Sequence, residues 1–69
     1  MIKRYFQIDR KHIVTVQWII EGYERMGTVS TMDTRKAVIR VAIMPDYVDD
    51  MNRLLEYLRS RYGMKELFD

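Results

Sequence analysis

An α+β fold with the element order β-α-β-β-α is predicted by three features of this 69-residue chain. Lys36 to Pro45, KAVIRVAIMP, alternates with period two. Ala37, Ile39, Val41 and Ile43 fall on one side and Lys36, Val38, Arg40 and Ala42 on the other, as in a strand with one face in a core. From Pro45 onward, Tyr47, Val48, Met51, Leu54, Leu55, Leu58 and Tyr62 share one face of a helix. Asp33-Thr34-Arg35 supplies turn chemistry between the strand at residues 36–44 and the β-prone stretch Thr28 to Met32, so these two strands form a hairpin.

The remaining elements are taken in chain order. Ile2 to Ile8 reads as the first strand, with Ile2, Phe6 and Ile8 on its core side. Arg4 interrupts that side, which suits a position near an edge where its stem can snorkel. Asp9 is placed to cap the helical segment after it. Residues 11–24 are rich in β-branched side chains and also alternate as a strand would. A helix is preferred, because Ile13, Val16, Ile19, Ile20 and Tyr23 form a stripe roughly 120° wide and the pattern outlasts an ordinary strand. Gly27 is the expected cap at its end. Pro45 suits the first position of the second helix, where Asp46, Asp49 and Asp50 complement the positive end of the dipole, and Gly63 ends it. Leu67 and Phe68 lie in a tail that docks or frays. The result is a ferredoxin-like half-sandwich without its usual last strand. Its three-stranded antiparallel sheet has strand 1 central or beside strand 3, and two helices cover one face. Residues 1–69 form one domain.

Size and composition limit the function classes. A chain this short buries only roughly 60% of its unfolded surface, so its stability margin is thin. Small domains offset this with disulfides, metals or a partner. There is no cysteine, and His12 is the only histidine, which removes disulfides, thiolate zinc sites and histidine metal clusters. Oligomerisation remains. No apolar run approaches the roughly 20 residues of a membrane span, and MIKRYFQID lacks the apolar core of a signal peptide. The expected location is therefore cytoplasmic. A net charge of +2, from twelve bases and ten acids, does not by itself imply nucleic acid.

Candidate chemistry is sparse. Ser30, Ser60 and His12 show no spacing that would assemble a nucleophile and its base. No catalytic residue, metal ligand or cofactor is predicted. His12 is assigned a solvated or capping role. Helix-dipole complementarity accounts for Asp46, Asp49 and Asp50 without a cation. Glu21 and Glu24 read as a solvated helix face, with a polar ligand in a dimer cleft as the alternative. Gly22, Gly27 and Gly63 are isolated and form no phosphate-cradling run.

Two surfaces carry surplus apolar side chains. With helices on one face of the sheet, the other displays Lys3, Tyr5, Gln7, Val38, Arg40 and Ala42. Val38 and Ala42 are too apolar for a fully solvated strand, and open strand edges invite pairing. On helix 1, Val14, Trp18 and Gly22 recur every four residues away from the main stripe. Another subunit would cover Trp18, or else the tail residues Leu67 and Phe68 would. The interface candidates are thus Val14, Trp18, Gly22, Tyr5, Val38, Arg40 and Ala42. The function expected is a non-enzymatic interaction module that forms a homodimer. One alternative is a small-molecule-sensing domain of the ACT-like kind, with its ligand at the dimer interface. Another is weak RNA binding on the open face, where Tyr5 would be the lone stacking aromatic.

The helix segment IVTVQWIIEGYE, the hairpin strand TVSTMD and the junction AVIRVAIMPDY carry a resemblance along nearly the whole chain. In these features the sequence resembles a family of short prokaryotic proteins classed as a domain of unknown function. The resemblance implies a small free-standing domain and transfers no activity or site residue.

Overall fold

The computed structural model describes residues 2–23 and 25–68. Strand β1 (Ile2–Gln7) leads through a 3-10 turn at Arg10–His12 into helix α1 (Ile13–Glu21). Strands β2 (Gly27–Asp33) and β3 (Val38–Ile43) form the expected hairpin. A second 3-10 turn at Pro45–Tyr47 precedes helix α2 (Val48–Tyr62), and strand β4 (Lys65–Leu67) comes last. The sheet is antiparallel with the order β2-β3-β1-β4.

The fourth strand corrects the three-stranded expectation. Tyr5 pairs with Leu67, Phe6 with Glu66 and Gln7 with Lys65, so β1 is interior, flanked by β3 and β4. The tail docks because one buried side chain and one ion pair hold it. Met64 joins the core. The Arg4 guanidinium takes the Glu66 carboxylate in a fork, Nε to Oε2 at 2.7 Å and Nη2 to Oε1 at 2.6 Å, while Nη1 donates to Asn52 Oδ1 of α2 at 2.9 Å. Arg4 is therefore a paired interior residue rather than an edge residue. Its hydrogen bond to Glu66 holds the Glu66 carboxyl below its ordinary range and raises Arg4 above its own.

Both helices pack on the face of the sheet carrying Phe6, Ile39, Val41 and Ile43. Val16 and Ile20 of α1 and Met51, Leu55 and Leu58 of α2 complete one fully buried cluster. Ile13, Ile19, Val48, Leu54 and Tyr62 pack at its margin, half-buried. Ile2, expected in the core, is exposed at the end of β1.

Boundaries of both helices and of the third strand differ from the sequence reading: Pro45, expected at the first position of the second helix, opens the second 3-10 turn, and α2 starts at Val48. The first helix is shorter than residues 11–24, since its regular part closes at Glu21 with Gly22 as the cap and Gly22 N–H donating to Trp18 O at 3.1 Å. Gly27 caps nothing and opens β2. A Cβ there would lie 2.4 Å from Ala42 O, so only glycine permits this approach of β2 to β3. The strand expected over residues 36–44 starts at Val38, because Asp33 Oδ1 accepts from the N–H groups of Arg35 (2.9 Å) and Lys36 (3.0 Å) and keeps them in the turn. Gly63 ends α2 in the left-handed conformation, φ 66°.

Candidate interaction surface

The outward side of α1 is built by its own periodicity. Val16 and Ile20 point into the core, so Val14 and Trp18, one turn apart, point out. Trp18 is 80% exposed and Val14 74%. The alternative cover by the tail does not reach them, since Phe68 is itself 84% exposed and Leu67 lies in β4 at the far side of β1 from β3. Gly22 continues the row at the helix end. Its φ of −63° is ordinary for any residue, and a Cβ would meet only carbonyls of its own helix, Ile19 O at 3.3 Å and Trp18 O at 3.7 Å.

Past Gly22 the row opens into a cleft of about 510 Å³ lined by Gly22, Tyr23, Arg25, Met26 and Tyr47. Two backbone bonds shape it: Tyr23 N–H donates to Ile20 O (2.9 Å) and Met26 N–H to Tyr23 O (2.7 Å), folding the chain back toward β2. A third, from Met44 N–H to Met26 O at 2.9 Å, ties this turn to the exit of β3. Tyr23, the last residue of the predicted core stripe, is exposed, because the helix has already ended. The role of Glu24 falls outside the described residues. The cleft was not legible in the sequence, since Tyr47 comes from a distant segment.

The open face of the sheet is separate, on the side away from both helices. Across it the register sets Leu67, Tyr5, Arg40 and Ser30 in one row from β4 to β2. Tyr5, Val38 and Arg40 are half-buried. Ala42 is only 7% exposed, between Lys3 and Thr28 in the register. Arg40 Nε is buried and has no hydrogen-bond partner among the described residues. The structure thus divides the seven interface candidates. Val14, Trp18 and Gly22 form one continuous surface with the aromatic cleft, while Tyr5, Val38, Arg40 and Ala42 form a second one that does not touch it.

The remaining sequence candidates are scattered. Asp46 lies in the 3-10 turn before α2 and Asp49 and Asp50 in the first turn of the helix, and among the described residues no group of side chains is arranged to hold a metal ion. His12 is half-buried, its ring against that of Tyr62 with centroids 5.1 Å apart, so packing accounts for it rather than solvation or capping. Among the described residues no helix is long and apolar enough to cross a membrane.

Fold and surface together define an α+β chain with a four-stranded antiparallel sheet and an exposed aromatic helix face. The model of one family, described as a domain of unknown function (DUF4911), matches residues 6–61, and the chain belongs to that family. No curated protein and no solved structure matches it.

Proposed function

We propose that this protein is a non-enzymatic, cytoplasmic interaction module of ferredoxin-like build that pairs with a second copy of itself through the outward face of α1. The observation that carries this reading is the exposure of Trp18 beside Val14 on a helix whose opposite face is fully buried. Leaving Trp18 in water forgoes roughly 2–3 kcal/mol of burial. Tryptophan, tyrosine, methionine and arginine are enriched in interfaces, and this surface offers Trp18, Tyr23, Met26 and Arg25 together. Its rim carries both signs of charge, Glu21 and Arg25, as a surface facing its own copy requires.

Sedimentation of the wild-type chain across micromolar concentrations tests the reading. The expected result is a reversible dimer that Trp18→Glu converts to a folded monomer, with wild-type tryptophan fluorescence shifting toward the solvated value on dilution. A chain that remains monomeric at high micromolar concentration ends it.

A second reading rests on the cleft of about 510 Å³ beside this face. That volume suits a small metabolite, and an ACT-like sensing domain holds its ligand at a dimer interface. Thermal stabilisation by metabolites, lost on Tyr47→Ala, would support it.

A further inference from the structure

We infer that the hairpin end of the molecule, opposite the aromatic cleft, is a binding site for a compact phosphate-type oxyanion carried by a small ligand. A shallow, open depression there is lined by Arg10 from the β1–α1 connection, Arg35 and Lys36 from the β2–β3 turn, and Lys65 at the start of β4. Among the described residues none of these four cations forms an ion pair. Four exposed like charges from three chain segments raise the local positive potential and so favour an anion among them.

The backbone beneath them is fixed in advance. Gln7 Nε2 donates to Lys36 O at 3.0 Å and Arg10 Nε to Thr34 O at 3.2 Å, so two side chains tie the turn to the β1 exit. Arg10 keeps its terminal N–H groups for a ligand. Ile8 N–H donates to Ala37 O at 3.0 Å. Ala37 holds φ 55°, a conformation non-glycine residues rarely adopt and one that gathers at binding sites. Among the described residues Asp9 is the one acid in the lining, and its Oδ1 accepts from Lys11 N–H at 3.2 Å as a cap.

The chemistry of the lining selects the ligand. Among the described residues its only aliphatic side chains, Ile8 and Ala37, are buried, so they offer little to grip an apolar group. Guanidinium and ammonium heads match phosphate oxygens. A single nucleic-acid strand would also use stacking aromatics, and the residues that line this site include none. A small phosphate or pyrophosphate moiety is what remains.

An amide NMR titration with inorganic pyrophosphate at low ionic strength tests the assignment. The expected shifts concentrate in residues 7–11, 35–37 and 63–65. The double variant Arg35→Glu, Lys36→Glu should weaken binding by about tenfold or more, and Arg53→Glu on α2 should leave it unchanged. Both reversed residues are exposed in a turn held by Asp33, and Lys65→Ala gives an independent weakening should the double variant misfold. Shifts spread evenly over all basic residues, including Arg53, overturn the site. So does affinity unchanged in the turn and Lys65 variants. Binding of single-stranded RNA at Tyr5 and Arg40 without any response to pyrophosphate would replace it with a nucleic-acid surface.

Discussion

The two helices differ in how completely this chain partners them. In α2 the apolar stripe is consumed: Met51, Leu55 and Leu58 are fully buried, and the outward face is mostly charged and polar. Helix α1 buries Val16 and Ile20 equally well, yet it presents Val14 and Trp18 to water on the other side. A helix apolar on one face needs only its sheet. One apolar on two faces leaves the second in water when the chain is alone. Under the proposed dimer, α2 is the helix that serves the core alone and α1 the one that also meets the second copy.

The largest expected effect tests the first half of that contrast. Leu58→Ala should cost about 2–5 kcal/mol, seen as a large drop in the denaturant midpoint or outright unfolding. A midpoint barely moved would remove α2 from the core. Next is the ion pair that holds the tail against α2 and β1. Glu66→Ala leaves the mostly buried Arg4 guanidinium without its fork and should cost about 1–3 kcal/mol, with loss of hydrogen-exchange protection concentrated in β4. Retained protection there would assign the strand to Met64 alone.

That pair also carries a pH signature. The Glu66 carboxyl is held below its ordinary value of 4.5 by Arg4, so its contribution is present above that value and lost as pH falls through the depressed one. The stability gap between wild type and Glu66→Gln should narrow as the solution is acidified below about pH 4. A gap constant from pH 7 downward would mean the pair adds nothing to folding. The smallest effect belongs to α1. Trp18→Ala should change the stability of the monomer by less than about 0.5 kcal/mol, as exposed substitutions do. A large loss in dilute monomer would show that Trp18 is covered within its own chain and would erase the difference between the helices.

Legibility in the sequence divides along the same line. Strand β3 and helix α2 were legible because each repeats one period long enough to be counted. The Asp33 turn was legible because its chemistry is local. The outward row Val14, Trp18 was legible from spacing alone. Strand β4 was not, since Lys65, Glu66 and Leu67 alternate too briefly to signal a strand, and what holds Glu66 is an arginine near the other end of the chain. The end of α1 was misplaced because Gly22 and Gly27 are equally plausible caps until the contact of Gly27 with Ala42 is known. The basic depression was invisible for a similar reason. Arg10, Arg35, Lys36 and Lys65 become neighbours only through the topology of the sheet.

The link between Arg4 and Glu66 joins positions 62 residues apart. Contacts of such separation form late, because nearly the whole chain must close into a loop before they return any energy. The β2–β3 hairpin has no such requirement and is the natural starting point for folding, with β1 and the helices assembling on it. The last strand is three residues long and pairs with β1 alone, so its local opening breaks the shortest ladder in the sheet. Each opening uncovers the hydrogen-bonding edge of β1, in the middle of the sheet. For a brief interval the folded molecule offers an unpaired strand to its surroundings, and Met64 together with the Arg4–Glu66 pair sets how often that happens.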